Sequence, residues 1–227
     1  MENTKNNIVT ELVFILDKSG SMVGMEKDTV GGFNSMIKKQ RNIDGTVYVS
    51  TILFADESQV LHDRKDIKEI KDLTENDYHP CGCTALLDAI GDAINRIGII
   101  HKYARPEDVP SHTIFAITTD GEENASVKYT SKQVKEMIRD QQEKHGWEFL
   151  FLAANIDAVE AADNIGIRRE RAVNYSVKEE TSDMYEVLCD AVYCLRKDNQ
   201  RELDLEKKFR EKLKERKAAK NTSDDKK

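Results

Sequence analysis

No stretch of this 227-residue chain approaches the roughly 18 consecutive apolar residues that a membrane-spanning helix needs. The amino terminus, Met1 to Asn7, is polar and lacks the apolar segment of a secretory leader, so a cytoplasmic protein without membrane contact is expected. Cysteine is scarce: Cys81/Cys83 and Cys189/Cys194 are too few to staple a chain of this length, and reduced thiols are the default reading. Positive charge is not in excess either, since the formal charge is −7, which gives no basis for nucleic-acid binding by the body of the protein. A hydrolase nucleophile is also missing. Ser19 is preceded two positions earlier by Asp17 where GxSxG requires glycine, and His62, His79, His101, His112 and His145 form no triad pattern with a serine.

What is present suits a globular α/β protein. Hydrophobic residues make up 39% and charged residues 34%, enough for one large core in a chain of this size. Short apolar runs alternate with stretches of helical spacing, the pattern of βαβ units around a parallel sheet. Strands are expected at Thr10–Leu16, Thr46–Phe54, Thr113–Thr118, Glu148–Ala153 and Ala172–Tyr175. TIFAIT and EFLFLA are apolar on both faces, as strands covered on both sides must be. Gln59–Arg64 follows Phe54 after a turn-length gap and should return antiparallel at the sheet edge.

Helices are expected near Asp28–Gln40, Ala85–His101, Ser131–Lys144, Ala158–Ile165 and Glu179–Leu195. We therefore expect a domain over residues 1–195, monomeric on its own, and a charged helix with a disordered tail over 196–227. In that second part Leu205, Phe209 and Leu213 form a narrow apolar stripe, and Lys220 to Lys227 is read as disordered. Between Glu206 and Lys220 eight Lys/Arg face three Glu, a local +5 that leaves −12 elsewhere. Docking of this segment to RNA or an acidic protein competes with the plainer reading of a solvated charged helix.

The chemistry concentrates at the end of the first strand, in Asp17-Lys18-Ser19-Gly20-Ser21-Met22. Ligands of open parallel sheets bind beyond the carboxyl ends of the strands. A carboxylate followed by hydroxyls at alternate positions offers only oxygen, which suits Mg²⁺ or Mn²⁺, with Ca²⁺ less favoured. Thr84, just before a helix, and Asp120, just after TIFAITT, fall on the same rim. The same residues also read as turns and caps, with Ser21 or Thr84 capping a helix and Asp120-Gly121 an ordinary turn.

DxSxS after strand one, an isolated threonine opening a later helix and Asp-Gly after a central strand together resemble the metal ion-dependent adhesion site of von Willebrand factor A (vWA) domains. The likeness covers about Glu11 to Tyr175. It implies a three-layer, Rossmann-like α/β fold of the stand-alone cytosolic bacterial type: a mostly parallel central sheet, one antiparallel edge strand, and helices on both faces. It implies that Ser19, Ser21 and Thr84 bind the metal directly, with Asp17 and Asp120 acting directly or through bound water. By analogy with such members, the role would be a non-enzymatic one in assembly, stress response or chaperone-linked work. The module would capture a Glu or Asp of a protein partner. Neutral hydroxyls leave most of a cation's charge uncancelled, and two aspartates plus a partner carboxylate bring the local sum to about −1.

Some neighbours stay open. Glu122 and Glu123 read first as exposed loop acids and second as groups near the metal that repel acidic ligands, and Asp88 either orients a ligand or answers the helix N-terminus. Cys81 and Cys83 replace the small residues that vWA domains commonly carry before this threonine; they read first as small buried residues, and second, with His79, as a soft-metal or redox feature lacking a fourth ligand. The competing function is a Mg²⁺-dependent phosphatase or phosphotransferase resembling the haloacid dehalogenases, with Asp17 as nucleophile. That family needs a second Asp where this chain has Ser19.

Overall fold

A computed structural model describes residues 8–154, 157–197 and 203–224. Among these the chain forms β1 (Val9–Asp17), α1 (Glu26–Arg41), β2 (Thr46–Phe54), β3 (Ser58–Asp66), α2 (Leu86–Tyr103), β4 (His112–Thr119), α3 (Ser131–His145), β5 (Glu148–Ala154), α4 (Ala158–Asn164), β6 (Ala172–Tyr175), α5 (Val177–Arg196) and α6 (Leu205–Asp224). The strands make one sheet in the order β3-β2-β1-β4-β5-β6. β3 is its antiparallel edge, and every other pairing is parallel.

Expected and observed elements differ only at their ends, where caps and fraying decide the last turn. α3 shows why its limits are sharp. Thr130 and Gln133 form a reciprocal capping box at its start, and Gly146 ends it in the left-handed region at φ 65°. The helix after Leu205 extends further than the sequence reading, through Lys220 to Asp224; Ala218, Ala219 and Lys220 favour it, and it carries on over Asn221–Asp224, whose residue types do not. Residues 225–227, also read as disordered, lie outside the described residues.

Alternation along β1 divides the core in two. Leu12, Phe14 and Leu16 face α1, α5 and α6, where Phe33, Met36, Leu188, Val192, Leu205 and Phe209 pack. Val13 and Ile15 face α2, α3 and α4, against Ile90, Ile94, Val134, Ile138 and Ala162. β4 and β5 are buried from end to end, as their two-sided apolar pattern requires. Where α1 meets α5, a Cβ on Gly32 would lie 2.0 Å from the Tyr185 ring, so glycine there sets how closely the helices approach.

This topology fixes where a site can form. From β1 the chain builds outward through β2 and β3, then crosses to the other side of β1 for β4, β5 and β6. The connections that leave β1 and β4 therefore diverge, and a crevice opens beyond the carboxyl ends of these two strands. Asp17 ends β1 and Asp120 follows β4.

Candidate metal centre

The site is assembled from the first turn upward. Asp17 is wholly buried, and its Oδ1 accepts the Ser19 backbone N–H at 2.7 Å, which turns the chain back on itself. A short 3-10 turn over Gly20–Met22 follows, and it brings the Ser19 and Ser21 hydroxyls to 3.0 Å from each other. The Ser21 hydroxyl then donates to Asp120 Oδ1 at 2.6 Å. Beside them, a Cβ on Gly121 would lie 3.3 Å from Ser21 Oγ and 3.4 Å from Thr84 Oγ1, so both hydroxyls border the same bare backbone. Asp17, Ser19, Ser21, Thr84 and Asp120 thus share one rim, as the sequence placed them.

Capping does not explain these hydroxyls. Ser19 begins the 3-10 turn without a side-chain cap bond, and the residue that begins α2 is Ala85, also without one. Glu123 supplies the missing acceptor, with its carboxylate taking the Leu87 N–H at 2.9 Å and the Ala125 and Ser126 N–H groups at 3.0 and 2.8 Å. The sequence reading of Glu123 as a plain exposed acid is therefore corrected, while Glu122 is exposed. Asp88 accepts from the backbone of Val127, Lys128 and Tyr129, so it ties down the loop after β4.

The three loops are joined main chain to main chain. Gly20 N–H donates to Gly82 O at 2.9 Å, and Cys81 N–H donates to Lys18 O at 2.8 Å. Thr84 and Asn124 exchange two bonds, Thr84 N–H to Asn124 Oδ1 at 2.9 Å and Asn124 N–H to Thr84 O at 3.1 Å. Gly82 has φ +80°, a left-handed conformation that favours glycine, and a Cβ there would also have to displace the Asp56 carboxylate. The buried Tyr78 hydroxyl donates to the Asp17 carbonyl, and burial holds it far above the usual phenol range, so it stays a donor. Thr119, missed by the motif, donates to Asp17 Oδ2 at 2.6 Å. The run Thr118-Thr119-Asp120 held a signal for it, whereas nothing local marks Tyr78 or Asn124.

Burial raises the Asp17 carboxyl above its usual range, against the opposing bonds from Thr119 and Ser19. Burial also raises Asp120, the Ser21 bond opposes this, and the charge of Asp17 adds to it. Neither carboxylate has an ion pair among the described residues, so two negative groups share a buried pocket with only dipoles to offset them. This set fits a hard cation: its donors are all oxygen, and a positive centre would relieve the destabilisation of both acids.

A soft metal fits less well. Among the described residues no group of three or more His, Cys, Asp or Glu is arranged to hold an ion, so His79, Cys81 and Cys83 make no such site. Cys81 and Cys83 are exposed, and a hydrogen bond to Asp56, with that group's charge, pushes the Cys83 thiol up.

The fold has relatives among solved structures. The vWF domain of the type V pili tip protein Mfa5 from Porphyromonas gingivalis superimposes with a TM-score of 0.62, at 10% identity, covering 82% of this chain and 96% of that one. The fold is that of a vWA domain. Proximal thread matrix protein 1 (PTMP1) from the mussel byssus gives 0.59 at 16% identity, covering 82% of this chain and 46% of its own. The chain thus spans about half the length of the mussel protein. A further PTMP1 structure, with a TM-score of 0.53 at 16% identity over 81% of this chain and 46% of that one, has a zinc-occupied MIDAS motif. At these identities the likeness carries the vWA fold alone. No protein-family model and no curated protein matches the sequence.

Proposed function

We propose that this vWA-fold chain is a divalent-cation-dependent protein-binding module of the cytoplasm. Ser19, Ser21 and Thr84 would hold Mg²⁺ or Mn²⁺ with Asp17 and Asp120, and a Glu or Asp of a protein partner would complete the set. A bound cation supplies the positive centre that a partner carboxylate needs. The residues of the chain do the rest: hydroxyls bind without cancelling charge, and the two acids keep the site oxygen-rich. The observation that carries this reading is the hydrogen-bonded run Ser19–Ser21–Asp120, with Thr84 beside it, over two buried carboxylates. The zinc-occupied MIDAS motif of a structural relative supports it.

The phosphatase reading has less behind it, because the second Asp that it needs two residues after Asp17 is Ser19 in this chain, and Ser19 is hydrogen-bonded to Ser21 within the candidate metal set. Among the described residues, no helix is long and apolar enough to cross a membrane.

Calorimetric titration with Mg²⁺ and Mn²⁺ tests the metal. Wild type should bind and Asp17→Ala should not, with circular dichroism unchanged; equal binding by the variant removes the assignment. Affinity purification with and without EDTA, comparing wild type with Thr84→Ala, tests the partner, whose recovery should depend on both the metal and the threonine.

A further inference from the structure

The two edges of the sheet are unlike. β3 carries features that keep a strand from pairing further: Asp63 and Lys65 are exposed on it, Arg64 has φ 46°, and its register with β2 shifts twice. β6 has none of them. It reads Ala172-Val173-Asn174-Tyr175, without charge, proline or positive φ, and among the described residues it pairs with β5 alone. On its outer side, therefore, the backbone N–H and C=O groups have no strand to bond.

That edge opens into a cavity of about 850 Å³. Its walls are α4, which packs on the Val13 face of the sheet, and α6, which packs on the Leu12 face, with Asn174 between them. On α6 the lining runs from Glu206 to Leu213, about 10 Å of helix, which three extended residues also cover. The walls differ in chemistry. Along α4, Asp157, Glu160 and Asp163 recur at every third position, all exposed, and Glu160 and Asp163 make no ion pair among the described residues. α6 presents the partly buried Leu213 above Phe209, and its Glu206 is already paired with Arg210. Arg169, at the start of β6, is the other cation, so the lining sums to two negative charges. Asn174 is exposed in mid-strand, where asparagine is disfavoured, and no described residue hydrogen-bonds its amide. Such an amide can both donate to and accept from a passing backbone.

We propose that an extended segment of a partner protein, with basic and apolar residues in alternation, adds to the free edge of β6 as a seventh strand. Its side chains point to the two faces of the sheet in turn. One set meets the carboxylates of α4 and the other meets Leu213 on α6, while backbone bonds to β6 hold the segment in place. No residue of the candidate metal centre lines this groove, so the proposal does not rest on that site.

Fluorescence anisotropy of a fluorescein-labelled KLKVKLK peptide, titrated with the whole chain in EDTA, should show saturable binding in the micromolar range. Three control peptides separate the contributions: ELEVELE reverses the charge, KGKGKGK removes the apolar set, and KLKVKLK N-methylated at alternate residues keeps every side chain but loses strand pairing. Each should bind at least about tenfold more weakly. Glu160 and Asp163 are exposed, so the double variant Glu160→Lys, Asp163→Lys should keep the thermal midpoint and lose the peptide, and Glu160→Gln, Asp163→Asn should weaken it less. Absence of saturable binding, a control peptide that binds as well as KLKVKLK, or full binding by the lysine variant each overturns the proposal. A wild-type dimer in sedimentation that the lysine variant turns into a monomer assigns the edge to a second copy of the chain, and overturns it too.

Discussion

The hydroxyl of Thr119 lies 2.6 Å from Asp17 Oδ2, and neither residue is exposed to solvent, so one bond ties the carboxyl ends of β1 and β4 at the floor of the candidate site. Thr119→Val keeps the shape and removes the donor, leaving a buried carboxylate oxygen without its partner. Stability should fall by about 1–3 kcal/mol in chemical unfolding, and Thr119→Ser should retain most of it. If valine proves neutral, the bond does not hold the rim together.

Glu123 reaches back across the loop to cap α2 through the Leu87 N–H. Loss of a helix cap costs roughly 0.5–2 kcal/mol, so Glu123→Ala should lower stability by that order, with Glu123→Gln intermediate. Urea unfolding of the three proteins decides it, and a variant as stable as wild type assigns the cap to water.

The sheet was legible in the sequence because two-sided burial leaves no room for polar residues in TIFAIT and EFLFLA, and because helix faces such as Leu188, Ala191, Val192 and Leu195 repeat at the helical period. Asp17, Ser19, Ser21, Thr84 and Asp120 were legible as a constellation because each sits at an element end that the βαβ pattern puts on one rim. What supports them was not. Tyr78, Asn124 and Glu123 act through backbone groups tens of residues away, in irregular segments where no period marks a buried side. Their role exists only once the loops have met.

His62, on the edge strand β3, is buried beneath α1, with its ring stacked on Phe33 at 6.3 Å and its Nδ1 3.1 Å from Thr51 Oγ1. Burial lowers its pKa, repulsion from Lys65 adds to this, and Asp77 opposes it. The unfolded chain therefore takes the proton more readily than the folded one. The contribution is complete above the ordinary value of 6.5 and is lost as the pH falls below it toward the lowered folded value. Wild type should lose stability on that descent, and His62→Gln should flatten the profile. Identical slopes for the two proteins would assign the acid sensitivity to other groups.

Phe209, on α6, is 3% exposed and shares a core with Leu188 and Val192 of α5. Phe209→Ala should therefore cost about 3–5 kcal/mol, the usual range for a buried phenylalanine. Differential scanning calorimetry should show one transition, lowered as a whole. Two separate transitions, with the larger unmoved, would make the carboxyl-terminal helix an appendage.

The bonds Gly20 N–H to Gly82 O and Cys81 N–H to Lys18 O involve no side chain. The crossing between the loop after β1 and the loop before α2 is thus written in peptide groups, which point mutation at Ser19 or Thr84 leaves in place. Exchanging either hydroxyl alters what the rim can hold while these two bonds still set where the loops cross, so a lost ligand in such a variant reports chemistry at the missing oxygen.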